Sequence, residues 1–247
     1  MGTEITENKI HPLDYLLEDK YHLWKTLEQK AGGTAAHSRV VADLCGKIAS
    51  EINIDEKIMR VAGRFHDIGK TRYPSFFVEN QRTEENIHDV INNPFISSQL
   101  ISRHVGDSLV LLVNENIPNE YLTVILRIIA QHHSGGITDY FWNLAKKNDS
   151  NEDILDYSYF GQEPQSREAA LLTIIDILEA TTKAVFSATT TSDVSLKEII
   201  DNTIDKLLDE NRIGVLTLND AKIIREITAK EFTNMYHSRI RYEEGED

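Results

Sequence analysis

Apolar residues recur at three- and four-residue intervals along most of the chain. Leu13, Leu16, Leu17, Leu23, Trp24 and Leu27 make residues 12–30 read as helical, up to a break at Gly32-Gly33-Thr34. Val40, Val41, Leu44, Ile48 and Ile52 then give the apolar side of a second helix. Asn53-Ile54-Asp55 reads as a turn, and Ile58, Val61, Ala62 and Phe65 carry a third helix to the dipeptide His66-Asp67. Residues 71–94 are irregular, helical spacing resumes at Phe95, Ile96, Leu100 and Ile101, and Asp107 reads as the start of a separate helix. After Pro118, the residues Tyr121, Leu122, Ile125, Ile128 and Ile129 predict a helix ending at Gln131-His132-His133. Residues 137–165 mix aromatic and polar side chains and read as loop. Ser166 has the chemistry of an N-cap before a strongly helical run from Ala169 to Ala180, and amphipathic segments follow near 195–209 and 217–236. There is no alternating strand series, no Gly-rich phosphate loop and no internal repeat, so the pattern predicts an all-α chain in a single domain.

Composition narrows the function classes. A chain of 247 residues is long enough for a sizeable core without staples. Its one cysteine, Cys45, cannot form an internal disulfide and reads as a small apolar core residue in a reducing, cytoplasmic setting. No apolar run approaches the roughly 18–20 residues that span a bilayer, and the charged N-terminus lacks a signal segment. A formal charge of −14 argues against a DNA or RNA polymer held across a broad surface. A small phosphate ester remains compatible with a locally positive pocket, and metal ions are one source of that charge.

The candidate chemistry is His37, His66-Asp67, His104, His132-His133 and Asp176. Taken alone, His66-Asp67 reads equally well as a helix C-terminus, with Gly69 as a left-handed stop. Asp176, however, stands amid Leu171, Leu172, Ile174, Ile175, Ile177 and Leu178, where a carboxylate is costly unless paired or metal-bound. The five histidines all fall near expected helix ends, and one shared metal site accounts for them together with both aspartates. A ligand set rich in imidazole disfavours magnesium and calcium and suits manganese, iron or zinc. His11, His22, His88 and His237 lie in polar or terminal surroundings and read as solvated or locally bonded.

The order H…HD…H…HH…D resembles that of the HD-domain metal-dependent phosphohydrolases, in the version with extra histidines found in two-metal members. More narrowly, the chain is similar to the cytoplasmic domain of the seven-transmembrane HD phosphodiesterases that cleave cyclic di-AMP. The stretches carrying this likeness are Gly33-Thr34-Ala35-Ala36-His37-Ser38, His66-Asp67-Ile68-Gly69-Lys70-Thr71, Phe76-Phe77-Val78-Glu79-Asn80-Gln81, Gln131-His132-His133 and Pro164-Gln165-Ser166-Arg167-Glu168-Ala169-Ala170, with His237-Ser238-Arg239-Ile240 near the end.

The resemblance implies an HD-domain helical bundle with additional N- and C-terminal helices: a lead over 1–30, a metal-binding core over 31–190, and helices over 191–247 packed on that core. It implies two divalent ions, manganese or iron with zinc compatible. One ion would be held by His37, His66, Asp67 and Asp176, the other by Asp67, His104, His132 and His133, with Asp67 shared. Asp67 and Lys70 would be catalytic, and Arg64, Arg103 and Arg167 are further candidates for substrate phosphate contacts. The implied reaction is hydrolysis of cyclic di-AMP to linear 5′-pApA. The alternatives are cyclic di-GMP or another nucleotide as substrate, or a sensor that binds a cyclic dinucleotide without turnover. Without the family's membrane helices, the resemblance implies either an excised cytoplasmic domain of a membrane protein or a free-standing relative, and Met1-Gly2, which reads as an expression start, favours excision.

Overall fold

The computed structural model describes residues 11–82, 85–148, 151–188 and 195–243, with the side chains of 188 and of 237 onward outside the description. The expectation for His237 therefore lies outside the described side chains. Ten α-helices are present among these residues, with short 3₁₀ turns between them and one isolated antiparallel bridge, Ile137 to Ser158, but no strand. The chain is all-α, as its periodicity predicts. No described helix is long and apolar enough to cross a membrane.

The centre is formed by α2 (Gly32–Glu51), α3 (Glu56–Phe65) and α8 (Arg167–Ala188), which pack on one another. Asn53 adopts φ 56° in the turn between α2 and α3, and the Asp55 carboxylate caps α3 by accepting from Ile58 N at 2.9 Å. Val41, Leu44, Cys45 and Ile48 of α2 meet Val61 and Phe65 of α3 and Leu171, Ile174 and Leu178 of α8 in one buried cluster. Cys45 is fully buried there and free. The same cluster takes in Leu23 and Trp24 of α1 (His22–Lys30), Ile125 and Ile129 of α6 (Asn119–Gln131), Ile200 and Ile204 of α9 (Leu196–Asp209), and Phe232 of α10 (Leu218–Glu243).

Several boundaries differ from the sequence expectation. Residues 12–30 are not one helix: a 3₁₀ turn over Asp14–Leu17 is followed by α1, which ends at Lys30, so Gly32 and Gly33 already lie in the first turn of α2. The irregular stretch 71–94 contains the short helix α4 (Ile87–Ile91). Most consequentially, α5 runs unbroken over Pro94–Val113, so no new helix begins at Asp107 and His104 sits in a helix interior. Gly106 faces open space on this helix, and its modest penalty, about 1 kcal/mol, is outweighed by packing of α5 against α6 and α7. The aromatic stretch after Ile137 also contains a helix, α7 (Asp139–Asn148), which buries Phe141 and Ala145 on one face.

Candidate metal centre

Five elements deliver the seven candidate ligands to one buried point. His37 comes from the first turns of α2, His66 caps the end of α3, and Asp67 follows it. His104 projects from the middle of α5, His132 and His133 follow the end of α6, and Asp176 lies mid-way along α8. All except His133 are under a tenth exposed.

Two glycines allow these elements to approach. A Cβ on Gly69 would lie 2.1 Å from the His104 carbonyl oxygen, and the Gly69 N–H instead donates to Ser108 Oγ at 2.8 Å. Gly69 has no positive φ, so its role is this close approach of the Asp67 turn to α5 rather than a left-handed helix stop. A Cβ on Gly33 would lie 2.0 Å from the Glu79 carbonyl oxygen. That contact seats the Phe76–Gln81 stretch on α2, where Thr34 N donates to Asn80 Oδ1 and Thr34 Oγ1 donates to Glu79 Oε1.

Three histidines are oriented by one local device. His66 donates Nδ1–H to the Gly63 carbonyl at 2.8 Å, His104 to Ile101 and His132 to Ile129, each at 2.6 Å. A carbonyl can only accept, so each Nδ1 carries a proton and each Nε2 is the nitrogen turned toward the cluster. His37 differs, because its Nδ1 meets the Glu179 carboxylate in a short contact while Nε2 lies 3.0 Å from Asp176 Oδ1. Asp67 Oδ1 lies 3.1 Å from His104 Nε2, and both atoms, with His132 Nε2, are buried without a hydrogen-bond donor. Two bare acceptors do not rest against each other at that distance away from water, so the pair takes either a proton or a metal ion between them.

The ligating atoms of Asp67, His104, His132 and His133 lie within 4.8 Å of one another, as do those of His37, His66 and Asp67, and those of His66, His132 and Asp176. Imidazole nitrogen and carboxylate oxygen in these proportions fit borderline divalent ions. Asp67 belongs to two of the groups. Asp176 also reaches both sides, with Oδ1 at 3.5 Å from His66 Nε2 and Oδ2 at 3.6 Å from His133 Nδ1.

Electrostatics follow from burial and these neighbours. Burial opposes charge on His66, yet the Asp67 and Asp176 carboxylates outweigh it and raise its pKa to about 10. Burial opposes charge on Asp67 and Asp176 as well, but the surrounding imidazoles, joined by Lys70 at Asp67, hold both well below the usual carboxylate range. His132 is pushed down to about 4 by burial and by the charge of His66. Part of the cluster thus holds protons that ions would displace, and part stands ready with bare nitrogens.

The cluster opens into a cavity of about 540 Å³ lined by His37, Lys70, Phe77, His104, His133, Tyr159, Asp176, Ile177, Glu179 and Lys183, among others. Lys70 Nζ is held by Asp67 Oδ2 at 2.8 Å and Glu79 Oε1 at 3.1 Å. The three arginine candidates are elsewhere, each already committed. Arg64 stacks on Trp24 and pairs with Asp19 at 2.9 Å. Arg103 pairs with Asp107 at 3.2 Å on an exposed face of α5. Arg167 makes a forked bond to Asp220 and donates to the Ile52 carbonyl, tying α8 to the start of α10. None of the three lines the cavity.

Sequence reasoning missed Glu179, Glu79 and Lys183. Glu179 was signalled only by its position three residues after Asp176, on the same face of α8. Its carboxylate orients His37 and raises the basicity of the nitrogen facing the cluster. Replacing Glu179 by alanine is expected to weaken divalent-metal affinity about 10- to 100-fold. Titration with manganese or zinc under a competing chelator measures this, and wild-type affinity in the variant would refute the role.

The likenesses to known proteins agree with this geometry. The HD-domain family matches residues 34–181. The cyclic-di-AMP phosphodiesterase PgpH of Listeria monocytogenes is 35% identical over 234 residues, which is 94% of this chain and 32% of that protein. PgpH of Bacillus subtilis is 28% identical over 93% of this chain and 32% of its own length. The chain therefore spans about a third of the length of the curated relatives it matches. Among solved structures, the PgpH HD domain of L. monocytogenes in complex with cyclic di-AMP superposes with a TM-score of 0.78 at 31% identity, covering 89% of this chain and all of that one.

Proposed function

The chain belongs to the HD-domain family, and from that premise we propose that it is a metal-dependent phosphodiesterase that hydrolyses cyclic di-AMP to linear 5′-pApA at a dinuclear centre. The observation that carries this is the set of buried, unpartnered ligand atoms on Asp67, His104 and His132, grouped behind a cavity that His104, His133 and Asp176 line. Two divalent ions held there supply Lewis-acid activation of water and of the phosphodiester.

The residues of the chain do the rest. His66, His104 and His132 keep their protons on Nδ1, so binding an ion at Nε2 requires no tautomer change. Asp67 and Asp176 stay ionised and reduce the charge of two ions enough for an anion to enter and leave. Lys70, fixed between Asp67 and Glu79, presents its ammonium to the cavity as a preorganised contact for phosphate oxygens. Phe77 and Tyr159 offer aromatic faces on which a base can stack.

The test is turnover by the purified protein with manganese or iron(II) under reducing conditions, with cyclic di-AMP, cyclic di-GMP and pApA separated by chromatography. Cyclic di-AMP is expected to give pApA faster than cyclic di-GMP is opened. Failure to cleave any cyclic dinucleotide would remove the enzyme reading, and tight binding without cleavage would make the domain a sensor.

A further inference from the structure

Two cations line the cavity above the cluster, and they are not equivalent. Lys70 is neutralised by the carboxylates of Asp67 and Glu79. Lys183 has no carboxylate within ion-pair distance among the described residues. In a chain of net charge −14, a lysine that lines the cavity beside the cluster without an ion-pair partner is unusual. Asp176, Glu179 and Lys183 lie at i, i+3 and i+7 on one face of α8. The helical rise puts Lys183 about 10 Å further along the axis than Asp176. Exposure increases in the same direction: Asp176 and Glu179 are buried, while Ala184 and Ser187 are exposed. Lys183 thus stands between the cluster and solvent on the wall of the cavity.

A cyclic dinucleotide carries two phosphodiesters in one closed ring. When one is at the metal cluster, the other is held in the same cavity and brings a second negative charge. We propose that Lys183 binds this second, uncleaved phosphodiester and so selects cyclic dinucleotides over esters with a single phosphate. The inference rests on the function proposed above.

Lys183→Ala, Lys183→Glu and Lys183→Arg variants of the full chain test it, with cyclic di-AMP and with bis(p-nitrophenyl) phosphate, which has one phosphodiester. Loss of a charge-assisted contact is expected to raise KM for cyclic di-AMP about ten-fold or more in the alanine variant. The glutamate variant should be worse, arginine should recover most of the loss, and kcat should change little. The ratio of kcat/KM for cyclic di-AMP to that for the simple ester should fall in proportion. Unchanged KM for cyclic di-AMP, or an equal loss on both substrates, would overturn the assignment. If the wild-type protein binds cyclic di-AMP without cleaving it, the proposed enzyme fails separately, and the same ranking of variants is then read in Kd. If the wild-type protein neither binds nor cleaves it, both readings fall. Circular dichroism and metal content control for misfolding.

Discussion

Replacing Asp67 by alanine is expected to empty the proposed centre of most of its metal and to lower the proposed phosphodiesterase activity by about a thousand-fold or more. The reason is geometric. Asp67 shares ligand groups with His37 and His66 on one side and with His104, His132 and His133 on the other, so one carboxylate serves both. Its removal also takes away one of the two carboxylates that hold Lys70, leaving that ammonium beside the donors that would hold ions. Lys183→Ala, by contrast, leaves the donors in place and should retain metal. Measured metal content per chain decides between these outcomes, and full occupancy in the Asp67→Ala protein would refute the shared role. Asp67→Asn serves as the control for folding, since it keeps the shape and removes the charge.

Adding metal to the metal-free protein should raise Tm substantially, and more so at higher pH. At a thousand-fold excess over Kd one bound ion contributes about 4 kcal/mol. Each kcal/mol moves Tm by roughly 2–4 °C for a chain of this size, so the rise is roughly 8–16 °C. The pH dependence follows from His66, whose pKa is raised from 6.5 to about 10 in the metal-free cluster. A raised value means that the imidazolium stabilises the metal-free fold fully below pH 6.5, and that this contribution is lost as the pH climbs through about 10. Asp67 and Asp176, held low, stabilise above their ordinary value of 3.8 and lose that contribution as acid protonates them. Metal binding displaces the His66 proton, so affinity increases as that proton becomes easier to remove. The gain in Tm on loading should therefore be larger at about pH 8.5 than at about pH 6.5. Equal gains at both values would show that His66 does not exchange a proton for metal.

Much of the candidate centre was legible in the sequence, because its logic is chemical. Asp176 within an apolar helical run is an energetic anomaly in any fold, and clustered histidines have few collective explanations other than metal. Helical periodicity was equally direct for α2, α3, α6 and α8, whose apolar faces repeat without interruption. It failed where local signals competed with packing. Gly106-Asp107 looks like a helix boundary but lies within α5, and the aromatic run after Ile137 looks like loop but contains α7. In both places burial against neighbouring helices decides, and burial is not a local property.

The arginines show the same limit. Arg64, Arg103 and Arg167 are near candidate ligands in sequence, but Asp19, Asp107 and Asp220 claim them in space. Lys183 and Glu179 carry no motif of their own and gain meaning only because α8 turns them toward the same cavity as Asp176. By itself, the sequence determined the helical class and the residue types able to bind metal, since both depend on periodicity and side-chain chemistry. Only the tertiary structure decided which charges face the cavity and which are spent in ion pairs, because long-range packing chooses among partners that are equally available along the chain.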